Sequence, residues 1–122
     1  MRRPPLSDAR LSVRAQVLLW TAQRASAAVL AVCIVVHLVT IIYAVRNGLS
    51  AAEILGRTRG NAAWAAFYAL FVAAVAVHAP IGLRNFLAET FNWRGGGLDV
   101  AVMAIALTLA MWGFRAVYAV FA

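Results

Sequence analysis

The sequence predicts an all-α integral membrane protein. Three transmembrane helices, at about 17–46, 62–88 and 98–121, form an up-down-up bundle with a cytoplasmic N-terminus. Three observations carry this prediction. The 122 residues are 65% hydrophobic with a mean hydropathy of +0.85, more apolar than a soluble domain of this size. The charges are bunched between long uncharged runs instead of being spread to solvate a globule. Each run, at 1.5 Å per residue, is long enough to cross a hydrocarbon core of ~30 Å.

Residues 1–14 read as a basic cytoplasmic tail containing Pro4 and Pro5, in which Leu11 and Val13 alternate with Arg10 and Arg14. This pattern suits the membrane surface, and residues 15–122 make a single three-helix domain. The apolar run behind the tail is too long for the h-region of a cleavable signal peptide. In the first span, Ala25–Val45 is an uncharged stretch of 21 residues, and Asn47-Gly48 supplies a C-terminal stop. Ser50-Ala-Ala-Glu53 has the form of a capping box, so a short interfacial helix is expected around 51–56. Arg57, Arg59, Gly60 and Asn61 close the loop.

The second span carries Trp64, Phe67, Tyr68 and Phe71 in its first half, as in an interfacial aromatic belt. Trp93-Arg94-Gly95-Gly96-Gly97 turns the chain into the third span. Asp99 near its start suits the positive end of a helix dipole. Near its other end Trp112, Arg115 and Tyr118 read as anchors, with Arg115 snorkelling outward.

Orientation follows from the arginines. Seven (Arg2, Arg3, Arg10, Arg14, Arg24, Arg84, Arg94) fall on the N-terminal side, against Arg46, Arg57, Arg59 and Arg115 opposite. The positive-inside rule therefore places the N-terminus in the cytoplasm. A net charge of +7 would otherwise suggest nucleic acid, but these arginines lie scattered over tails and loops, not gathered on one soluble face. No nucleic-acid partner is expected. Membrane lipid is. The single cysteine, Cys33, lies mid-span and has no partner for an intramolecular disulfide. No phosphate-binding glycine loop, nucleophile with a base, or metal-finger spacing occurs.

The most informative stretch is His78-Ala-Pro-Ile-Gly82-Leu-Arg84-Asn-Phe-Leu-Ala-Glu89. On a helix, His78, Gly82, Asn85 and Glu89 share one face that begins inside the membrane and ends in water. An imidazole in hydrocarbon must bind or hydrogen-bond something, because an unsatisfied polar group there costs several kcal/mol. Haem iron would accept it, and so would a carbonyl on another helix. Gly82 leaves room for a flat macrocycle or for a neighbouring helix. Arg84, near the headgroups, can pair with a haem propionate, an acidic neighbour or a lipid phosphate.

A second polar group, Gln23-Arg24-Ala25-Ser26, opens helix one. Arg24 and Ser26 could bind a propionate or the carbonyl oxygen of a quinone; alternatively the arginine snorkels and the serine bonds its own helix. Ser26, Cys33 and His37 share a further face. Counted from Arg24 and Arg84, His37 and His78 differ in depth by ~10 Å at 1.5 Å per residue. Two trans ligands of one haem should sit level. His37 is therefore expected to be a buried hydrogen-bonded residue or a ligand to a different haem, and a second ligand to join His78 from another chain.

With these residues in place, the chain resembles the membrane-anchor cytochrome b subunits of succinate dehydrogenase and fumarate reductase. That family combines three spans with an H-R-x-S-G motif opening helix one and H-x-x-x-G-[LI]-R-H, followed by an acidic residue, closing helix two. Here the second motif reads His78-x-x-x-Gly82-Leu83-Arg84-Asn85 with Glu89 beyond, and the first reads Gln23-Arg24-Ala25-Ser26-Ala27. Gln23 and Ala27 replace the usual histidine and glycine, and Trp20 stands where a quinone-binding serine is often found. The resemblance implies that His78 is the axial ligand of a haem b shared between two anchor chains. It also implies that Arg24 and Ser26 border a ubiquinone or menaquinone pocket and that Arg84 helps to hold propionates. The implied partners are a second membrane-anchor subunit, an iron-sulfur subunit and a flavoprotein subunit. The implied location is the inner (cytoplasmic) membrane of a bacterium. Two rival readings are a haem-free structural anchor and a small transport subunit with Arg24, His37 and Arg115 along a polar path.

Overall fold

The computed structural model describes residues 12–122. It has helix α1 at Val13–Arg46, α2 at Ala51–Thr58, α3 at Ala62–Thr90 and α4 at Gly96–Phe121. Helices α1, α3 and α4 are each long and apolar enough to cross a membrane. The described residues contain no strand. The expected tail lies outside the described residues as far as residue 11. Val13 and Arg14, read from sequence as its end, are already helical.

The helix starts explain the boundaries. Ser12 Oγ accepts the Ala15 amide at 3.2 Å, so α1 begins at its cap rather than where the apolar run begins, four residues on. The capping box forms as expected: the Ser50 amide donates to Glu53 Oε2 at 2.7 Å and the Glu53 amide to Ser50 Oγ at 3.3 Å. Asn61 Oδ1 takes the Ala63 and Trp64 amides and starts α3. Helix α4 has no side-chain cap and starts from Gly95 at φ 109°, a conformation open to glycine. Pro80 sits inside α3 and is buried. Lacking an N–H, it leaves the Ala76 carbonyl without its helical donor, yet the helix runs on for ten residues beyond it.

Helix α3 is the middle of the layer, packing on α1 along one side and on α4 along the other. Besides Pro80, the buried apolar side chains among the described residues are few: Leu30, Cys33, Ala74, Leu98 and Val102. Most of the apolar surface of α1 and α4 faces outward, including Val32, Val35, Leu38, Leu107 and Met111. In water that would be untenable, whereas lipid or a companion helix solvates it. At the α3–α4 contact Gly113 lies so close to Val72 that no Cβ would fit, the small-residue device of membrane helix pairs. The far end of α4 is tied to the end of α2 and the loop after it: Thr58 Oγ donates to the Val120 carbonyl at 3.0 Å and the Gly60 amide to the Phe121 carbonyl at 2.8 Å. Those carbonyls have no partner within their own helix.

Candidate functional site

The start of α1, the end of α3 and the start of α4 meet at one end of the layer, and this end gathers most of the polar residues singled out from sequence. Ser26 faces α3 and is 7% exposed. Its hydroxyl donates to the Gln23 carbonyl one turn back, at 3.1 Å, and stands 3.4 Å from His78 Nδ1. With the serine proton on its own helix, an oxygen lone pair faces the imidazole. The matching tautomer carries its proton on Nδ1 and its lone pair on Nε2.

Gly82, one turn beyond His78, faces Gln23: a Cβ on it would meet Gln23 Nε2 at 3.2 Å. Of the two uses open to the missing side chain, the structure therefore supplies room for a neighbouring helix. Gln23 Oε1 is buried with no hydrogen-bond partner. Beside it, a cavity of about 260 Å³ lies between α1 and α3, with Trp20, Gln23, Arg84 and Asn85 in its wall.

Arg84 Nε donates to Asp99 Oδ1 at 2.9 Å. Among the options open to this guanidinium, the acidic neighbour is the one realised within the chain, and Asp99 thereby serves both the dipole of α4 and a cross-helix pair. Arg24 is exposed, with its guanidinium 5.2 Å from the Trp20 ring centroid. The structure brings Ser26 and His78 together but turns Arg24 to the outer side of α1. The Trp20–Arg24 stack is an i, i+4 pair, so spacing was the signal that could have found it. Glu89 is exposed near the end of α3.

His37 belongs to the other end. Its Nδ1 lies 3.2 Å from the Tyr68 hydroxyl, and its ring meets Tyr68 and Phe71 edge-on. Thr40 Oγ donates to the His37 carbonyl at 2.7 Å. Because Ser26 is level with His78 and His37 with Tyr68, the two histidines stand ~15 Å apart along the helices at 1.5 Å per residue. The offset exceeds the ~10 Å expected from sequence because Arg24 and Arg84 are not level; in the antiparallel register of α1 and α3, Gln23 faces Gly82 and Arg84 lies further out. Arg115 is exposed on α4 with its guanidinium 5.9 Å from the Trp112 ring centroid.

Among the described residues no three His, Cys, Asp or Glu side chains gather as a chelating site. A family model described as the succinate dehydrogenase/fumarate reductase transmembrane subunit matches residues 1–117. Comparison with curated proteins and with solved structures finds no match.

Proposed function

The chain belongs to the succinate dehydrogenase/fumarate reductase transmembrane-subunit family, and from that premise we propose that it is the cytochrome b anchor of a succinate:quinone oxidoreductase. It lies as a multi-pass protein in the inner membrane of a bacterium with its N-terminus in the cytoplasm. On that side it docks an iron-sulfur subunit and a flavoprotein subunit, which carry out the dicarboxylate chemistry. A second membrane-anchor subunit covers the apolar outer faces of this thin layer.

The observation that carries the haem assignment is the Ser26–His78 contact. Ser26 fixes the imidazole and directs its Nε2 lone pair away from α1, as the outer partner of a metal-bound histidine does. A single histidine from this chain would suit a haem b held jointly with the companion chain. Haem b, when bound, supplies reversible one-electron transfer. His78 would hold the iron, and Arg84, sharing its charge with Asp99, would offer the cation for a propionate.

Ubiquinone or menaquinone occupies the same end, where Trp20 and Gln23 wall the small cavity. Arg24, on the outer side of α1, offers a charged donor to the quinone carbonyl under the covering subunits. The chain's task in quinone reduction is to hold the carbonyl oxygens against donors and to exclude bulk water.

The test is the reduced-minus-oxidised visible spectrum of the purified membrane complex, wild type against His78→Ala. Bands of b type that vanish in the variant are expected. Unchanged bands would move the ligand role off His78, and a wild-type complex without bands would reduce the chain to a structural anchor.

A further inference from the structure

A cavity of about 550 Å³ lies at the end of the layer opposite His78. Nothing in the proposed electron-transfer role uses it. It is formed where the last turns of α1 and the first turns of α3 part to admit the short helix α2.

Three levels can be distinguished in its lining. At the mouth stand Arg57, Asn61 and Tyr43, with the Arg57 guanidinium 5.6 Å from the Tyr43 ring centroid. The walls are apolar and open sideways, with Ile41 44% and Ile54 42% exposed. The floor carries His37 and Tyr68, whose polar atoms face each other. From Asn61 to Tyr68 is ~10 Å along the helix at 1.5 Å per residue, so the floor lies at acyl-chain depth when the mouth is at the headgroups.

Charge decides the occupant. Arg57 makes no ion pair among the described residues; the nearest acid in sequence, Glu53, bonds both groups of the Ser50 cap and feels Arg57 only through its charge. No Asp or Glu lines the cavity. A cation without a salt bridge, set over an aromatic ring at the lip of an apolar, laterally open hollow, matches a phosphate above a hydrocarbon chain.

We infer that this cavity is a binding site for one anionic phospholipid, with the headgroup phosphate on Arg57 and Asn61 and an acyl chain laid between Ile41 and Ile54. The inference rests on membrane insertion alone and is independent of the haem and quinone assignments.

Native mass spectrometry of the detergent-purified protein, with the subunits that copurify, tests it. Phosphatidylglycerol or phosphatidylcholine is added in turn before washing. Wild type is expected to retain one phosphatidylglycerol per copy and to lose phosphatidylcholine, with inorganic phosphate failing to displace the retained lipid. Arg57→Gln should weaken retention about fivefold, the worth of one arginine at an anionic surface. Ala44→Phe, which fills the cavity without touching charge, should abolish it in protein that still elutes as one assembled species. Equal retention of both lipids, retention indifferent to both substitutions, displacement by inorganic phosphate, or a copurifying neutral quinone in the lipid's place would each overturn the assignment.

Discussion

Ser26 Oγ stands 3.4 Å from His78 Nδ1 across the α1–α3 seam while giving its own proton to the Gln23 carbonyl. The distance is long for an N–H···O bond, and with Nδ1 carrying the imidazole proton the serine oxygen is its acceptor. Losing such an outer partner typically costs 10–100-fold in metal affinity. Ser26→Ala is therefore expected to weaken haem retention by about that range while leaving the complex assembled. Haem titration of the depleted complex, followed by its absorbance, measures this directly. Affinity equal to wild type would show that the serine does not orient the ligand.

The two glycines that face other helices should respond differently to the same substitution. At Gly113 an added Cβ would overlap the branched Val72 side chain, which is held in the α3–α4 contact. Gly113→Ala is expected to destabilise by ~1–3 kcal/mol, the usual cost of overpacking. Trimming the obstacle with Val72→Ala should restore part of the loss. At Gly82 the neighbour is the end of the flexible Gln23 side chain, and alanine favours a helix over glycine by ~1 kcal/mol. Gly82→Ala should thus be tolerated to within about 1 kcal/mol. Thermal unfolding of the wild type and these three variants in one detergent separates the cases, and equal losses at both glycines would contradict this account.

The Arg84–Asp99 pair is partly exposed on both sides, at 35% and 57%, so its Coulomb attraction is strongly screened. Asp99→Asn is expected to change stability by less than ~1 kcal/mol and to lose even that difference as salt is raised. A larger or salt-resistant loss would mean that the pair is buried by a partner in the assembled complex.

Much of this architecture was legible in the sequence because membrane insertion imposes a simple rule. A span must be long, apolar and internally hydrogen-bonded, and the three spans obey it to within a few residues at each end. The Ser50–Glu53 box was legible because both partners are local. Cross-helix relations were not. Nothing in the spacing of Gln23 and Gly82, of His37 and Tyr68, or of Gly113 and Val72 reveals that they meet, since each depends on the register between helices. Tyr68 was read only as part of an aromatic belt, and the structure makes it the partner of His37. Arg24 and Ser26, two residues apart, read as one group in sequence. The helix turns them ~200° from each other at 3.6 residues per turn, which sends one to α3 and the other outward.

The final prediction concerns α2 and follows from its cap. The Glu53 carboxylate accepts the Ser50 amide, the largest influence on it, and the Ser50 side chain and Arg57 act in the same direction; together they hold its pKa below the ordinary carboxylate value. A group whose pKa is lowered by folding contributes stability that is fully present above its unfolded pKa. That contribution is lost as pH falls through the lowered folded value. The first turn of α2 should accordingly open more readily in acid, with faster amide exchange at Glu53 and Ile54, whose amides bond to Ser50, once intrinsic rates are corrected for pH. Glu53→Gln keeps a side chain able to complete the box but cannot titrate. Its exchange should be flat over the same interval, and a wild-type profile equally flat would remove Glu53 as the cause.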